Sequence, residues 1–151
     1  MKPELKTETG TPNLTGPLMI TVLYTTPEAT GVALTSAAAL AGNLGATIRL
    51  VIMRIVPFPL PLNTPPVPIE FSERHARKLA RRVGVVPEVQ ILDCRDREEA
   101  LLKILPSQSV VVMGVRHRWF PTRQTRLARM LRGKGHEVVL VETAARTKWQ
   151  A

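Results

Sequence analysis

The sequence predicts a doubly wound, Rossmann-like α/β domain: a five-stranded parallel sheet with helices on both faces. Three observations lead there. Short Val-, Ile- and Leu-rich runs alternate with stretches whose apolar residues recur at helical spacing. Runs such as Val110-Val111-Val112-Met113 and Val138-Val139-Leu140-Val141 are continuously apolar, as strands covered on both faces must be. The order β-α-β-α-β-α-β-α-β then calls for parallel pairing with right-handed crossovers.

With 151 residues the chain has room for one core. Aromatic residues make up 4%, so that core is built from Val, Leu, Ile and Ala. The expected organisation is a flexible N-terminal arm over 1–17, an α/β domain over 18–142 and a C-terminal tail over 143–151. The single cysteine, Cys94, excludes an internal disulfide.

The first strand is read over 18–24. It stops at Thr25-Thr26-Pro27-Glu28, where Thr26 suits an N-cap, Pro27 the first helical position and Glu28 the first turn. The helix places Ala33, Ala37, Leu40, Ala41 and Leu44 on one face, and Gly45 suits its left-handed closing position. The uncharged run over 29–48 is long enough to suggest a membrane span. Its Ala, Gly, Thr, Ser and Asn read instead as a buried helix leading into a strand, and the expected location is the cytoplasm.

The second strand is read over 47–56. The Pro-rich 57–68 segment that follows excludes helix and interior strand, so it is a stiff crossover loop. Helical spacing returns over 68–83, burying Ala76, Leu79, Ala80 and Val83, with Gly84 closing it. The third strand, over 86–92, is more polar and belongs nearer an edge. Asp96 with Glu99 makes a capping-box-like start to a helix burying Leu101, Leu102, Ile104 and Leu105, which Pro106 ends. After the fourth strand come Gly114, a basic and aromatic loop, a helix over 122–131, a Gly133-Lys134-Gly135 turn and the last strand.

In this architecture ligands bind at the carboxyl ends of the strands that flank the switch point. If those are the first and fourth strands, Thr25 and Thr26 face Gly114, Arg116, His117 and Arg118, with Arg54 and Ile55 as a third wall. Catalytic chemistry has little to stand on. Ser109 and Cys94 lack an activating partner in any local motif, and the three histidines lack metal-ligand spacing. His75 reads as a surface residue and His136 as a turn residue, leaving His117 as the histidine in the crevice. Asp93 and Asp96 read as a strand-end residue and a helix cap. Neither a Walker A motif nor G-x-G-x-x-G occurs. Trp119 and Phe120 either tuck against the sheet edge or offer a stacking surface.

The formal net charge is +9. No acidic residue lies between positions 99 and 137, where Lys103, Arg116, Arg118, Arg123, Arg126, Arg129, Arg132 and Lys134 fall. Such a field draws anions. A second cluster, Arg74, Arg77, Lys78, Arg81 and Arg82, reads as a solvated helix face.

The strand and helix order, the long loop after strand two, VVVMG at strand four and the closing TRLARMLRGKGHEVVLVE together resemble the universal stress protein family over residues 18–142. The resemblance implies a non-enzymatic domain in stress response or regulation. It also implies a homodimer paired through Val138, Val139, Leu140 and Val141, and it leaves ATP or another adenine nucleotide open as the ligand, since many members bind ATP and others do not. Members that bind ATP carry an acid at the end of strand one and a G-x-x-G-x9-G-[ST] segment after strand four. Here Tyr24-Thr25-Thr26 holds no acid, Gly114 fits the first glycine, His117 stands at the second and Gln124 at the third, while Thr125 keeps the hydroxyl. The implied site is therefore degenerate, with Arg116, Arg118 and Arg123 available as fork-shaped phosphate donors. The alternative is a basic nucleic-acid-binding module over 103–134, with Trp119 and Phe120 as stacking groups. The spread of Arg123, Arg126, Arg129 and Arg132 around their helix weighs against it. A small hydrolase or transferase is the least supported class.

Overall fold

A computed structural model describes residues 18–62, 68–116 and 123–143. The elements run β1 (Met19–Leu23), α1 (Pro27–Leu44), β2 (Thr47–Ile55), α2 (Ile69–Arg82), β3 (Glu88–Cys94), α3 (Arg97–Ile104), β4 (Val110–Arg116), α4 (Arg123–Gly133) and β5 (Glu137–Thr143). They form one five-stranded sheet in the order β3-β2-β1-β4-β5 with every pairing parallel. This is the predicted doubly wound α/β fold.

Alternation along the central strands divides the core between two faces. Ile20, Val22, Leu50, Ile52 and Val112 pack against Ala33, Leu34 and Ala37 of α1 and Ala76 and Ala80 of α2. Leu23, Val51, Val111, Met113 and Val138 pack against Leu101 of α3 and Leu127, Ala128 and Leu131 of α4. The small side chains of α1 let that helix lie close on the sheet. No described helix is long and apolar enough to cross a membrane.

Local chemistry sets the ends of the helices. Thr26 caps α1 through its hydroxyl, which accepts the Ala29 N–H at 3.2 Å. Gly45 takes the left-handed conformation (φ 66°) and closes it. Asp96 caps α3 by accepting the N–H groups of Glu98 and Glu99. The Glu99 carboxylate lies 3.9 Å from Lys103.

Several boundaries and faces differ from expectation. The third strand begins at Glu88, two residues late, because Pro87 has no N–H to give a ladder. Val86 before it is 97% exposed. The fourth strand does not stop at Met113. Gly114, Val115 and Arg116 continue the ladder against Val141, Glu142 and Thr143 of β5. Leu102 and Leu44 point to solvent, and Leu40, Val83 and Ile104 are only half-buried. The third strand is an edge strand, as its polarity suggests.

Candidate functional site

The chain leaves β1 toward β2 on one side and β4 toward β5 on the other, so the switch point falls between β1 and β4. Their carboxyl ends open the crevice where such folds bind ligands.

Thr25 joins the two strands. Its N–H donates to Thr30 Oγ1 at 2.9 Å, and its hydroxyl donates to the Gly114 carbonyl at 3.4 Å. Thr26 stands beside it with its hydroxyl committed to the α1 cap. Both threonines thus hold the crevice wall together from within.

Gly114 has a packing role that its position in the sequence did not suggest. It lies inside β4, not in a turn. A Cβ built on it would stand 2.1 Å from the Ala29 carbonyl oxygen and 2.9 Å from Ala29 Cβ. The backbone that approaches this glycine is the first turn of α1.

Tyr24 directly follows the last residue of β1. Burial first, and the negative charge of Glu28 second, push its phenol above the usual tyrosine range. Glu28 sits exposed in the first turn of α1 and sets a negative charge at the crevice mouth. Arg116 is exposed at the end of β4, and Arg123 opens α4, with Gln124 and Thr125 half-buried in the same first turn. His117 and Arg118, with Trp119 and Phe120, lie outside the described residues.

Arg54 is turned to a structural task. Its Nε and a second guanidinium nitrogen hold the Asp93 carboxylate at 2.8 and 3.2 Å, while the third nitrogen donates to the Pro68 carbonyl and Ser72 Oγ. That ties β2 to β3 and to the start of α2, on the side of the sheet away from β4. Ile55 ends β2 with its side chain in solvent. The structure therefore gathers Thr25, Thr26 and Gly114 and directs Arg54 elsewhere.

The other chemistry-bearing residues are packed. Ser109 and His136 are buried together, and the Ser109 backbone N–H donates to His136 Nδ1 at 3.1 Å. The Ser109 hydroxyl donates to the Pro106 carbonyl instead, so the pair is not a nucleophile and its base. His136, read from sequence as a turn residue, is a buried acceptor. Burial of Cys94 pushes its thiol up, outweighing the opposing effect of Arg97. Among the described residues no group of three His, Cys, Asp or Glu side chains gathers into a metal-ligand cluster.

Two tethers escaped sequence reasoning. Arg54–Asp93 is one. The other is Arg95, which donates to the Val56 and Leu60 carbonyls and stacks its guanidinium 3.9 Å over the Phe58 ring, pinning the first part of the Pro-rich loop. Each joins segments far apart in the chain, which no local pattern signals. β5 forms one edge of the sheet, with Val138 buried and Val139, Leu140 and Val141 half-buried.

The geometry defines a doubly wound domain in which the Thr25–Gly114 bond joins the carboxyl ends of β1 and β4 at the switch point. No family model matches the chain. No curated protein matches it either. Among solved structures, the chain is similar to a universal stress protein crystallised in complex with cAMP, with a TM-score of 0.54 and 17% identity. That similarity covers 85% of this chain and 98% of the other. The chain shares the universal stress protein fold.

Proposed function

We propose that this chain is a universal-stress-protein-like, non-enzymatic domain of stress response or regulation. It carries a degenerate nucleotide or anion site at the β1/β4 crevice and works in the cytoplasm as a homodimer paired through the β5 edge. The observation that carries the reading is the Thr25–Gly114 bond, which sets the β1 loop against β4 at the switch point of the sheet. The structural neighbour was crystallised with cAMP, which points to an adenine nucleotide as the ligand class.

Degeneracy follows from what the crevice residues already do. Thr26 caps α1, Gly114 packs against Ala29, and Glu28 adds a negative charge. Phosphate recognition then falls to arginine forks, Arg116 and Arg118 first among them.

Calorimetric titration with ATP, ADP, AMP and cAMP, at low and at moderate salt, tests the reading. The expected result is saturable binding near one site per chain that Arg116→Ala/Arg118→Ala abolishes. Binding that the double variant leaves intact would place the nucleotide elsewhere, and no binding at low salt would make the crevice vestigial. For the dimer, Val141→Arg should shift the sedimentation coefficient from that of two chains to that of one. A wild-type protein that sediments as one chain would refute pairing through β5.

A further inference from the structure

The outer face of α2 carries a second cationic surface, separate from the crevice. Arg74, Arg77, Lys78, Arg81 and Arg82 recur at the three- and four-residue steps that place them along one side of a helix. Ala76, Leu79 and Ala80 face inward and are buried. Glu70 and Glu73 share the helix, and Arg77 pairs with Glu73 at 2.9 Å. Among the described residues Arg74, Lys78, Arg81 and Arg82 make no ion pair. A solvated basic face would end the matter there.

The structure adds an aromatic component. Phe71, 53% exposed, lies nearly parallel to the His75 ring, with centroids 5.9 Å apart and planes 16° from one another. Phe71, Arg74, His75, Arg77, Lys78 and Arg81 line a recess of about 440 Å³. Flat rings beside a row of cations match a strand of nucleic acid, whose bases stack while its phosphates pair. A duplex hides its base faces, so the rings favour a single strand. A membrane surface fits less well: Ala76, Leu79 and Ala80 of α2 are buried, which leaves Ile69 and Phe71 in its first turn as its only exposed apolar residues.

We propose that the α2 face binds single-stranded nucleic acid, with Arg74, Lys78 and Arg81 on the phosphates and the Phe71–His75 pair stacking a base. The row from Arg74 to Arg81 runs along roughly 10 Å of helix axis, enough for adjacent phosphates on a flexible strand.

Fluorescence anisotropy with a labelled twenty-nucleotide single strand, from 50 to 200 mM KCl, tests this. Each phosphate contact contributes about −0.7 to the slope of log K against log salt. Arg74→Gln/Lys78→Gln/Arg81→Gln should therefore flatten the slope by about 2. Arg126→Gln/Arg129→Gln on α4 should leave it unchanged. Phe71→Leu keeps an apolar side chain but removes the flat ring, and should weaken binding about five-fold or more. All these positions are exposed, and circular dichroism checks that each variant folds. No binding at 50 mM salt, a wild-type slope in the triple variant, or wild-type affinity in Phe71→Leu would each overturn the proposal. Capture by phosphatidylserine vesicles without affinity for the oligonucleotide would overturn it in favour of a membrane surface.

Discussion

Gly114 lies so close under Ala29 that a Cβ on the glycine would stand 2.1 Å from the alanine carbonyl oxygen. Neither partner is the flexible end of a side chain, so any added methyl must push α1 off the sheet. Gly114→Ala should destabilise the protein by about 3 kcal/mol, the upper part of the range for overpacking a tight core. Urea denaturation measures it. A loss below about 0.5 kcal/mol, the usual scale for a surface change, would mean that α1 is free to lift. The reading of Gly114 as a packing residue would then fail.

Arg54 and Asp93 make a bidentate pair with both side chains 14% exposed. Breaking a fully buried pair costs about 3–5 kcal/mol, and water at this edge lowers that. Asp93→Ala should cost about 2 kcal/mol, since it strands a guanidinium that is still held by Pro68 and Ser72. The double variant Arg54→Met/Asp93→Leu should cost less than Arg54→Met and Asp93→Leu added together. Strict additivity in that cycle would show that the pair is uncoupled.

These two relationships mark where the sequence stops being informative. The caps at Thr26 and Asp96 and the left-handed Gly45 follow from residues within a few positions of one another, so local chemistry specifies them. Parallel pairing also follows from the alternation of strands and helices, while the neighbouring of the first and fourth strands was a supposition that the sheet order bears out. Leu102 and Leu44 misled because helical spacing allows a wide apolar stripe, and contact with the sheet decides which edge of it is covered. The crevice was legible as a place but not as chemistry. Gly114 was identifiable as special, yet its partner Ala29 belongs to a different element, so a packing glycine and a ligand-approaching glycine read alike. Arg54 faces β3 only because the parallel register sets it opposite Asp93.

His136 Nδ1 accepts the buried Ser109 N–H across the start of β4 and β5. His136→Phe keeps a ring of similar size but leaves that donor without an acceptor. It should cost about 1–3 kcal/mol, the penalty for an unsatisfied buried amide. Hydrogen exchange at the Ser109 amide should speed up along with the loss in stability. Unchanged exchange would show that the amide finds another acceptor and that His136 fills space only.

Cys94 supplies a pH test, and as the only cysteine it gives an unambiguous signal. Burial raises its thiol pKa above the ordinary range, with Arg97 opposing and Asp93 and Asp96 assisting. A raised folded-state pKa means that the folded chain holds its proton more tightly than the unfolded one. The resulting contribution to stability is complete below the unfolded pKa, about 8.5, and is lost as pH rises through the folded value. At pH 8 the native thiol is therefore both shielded and poor in thiolate. A disulfide reagent should modify it at least about tenfold more slowly than in urea-unfolded protein, because thiolate is the attacking species. The gap should narrow as pH climbs past 9. Equal rates at pH 8 would show that the β3 end opens freely and that the buried thiol is not held by the fold.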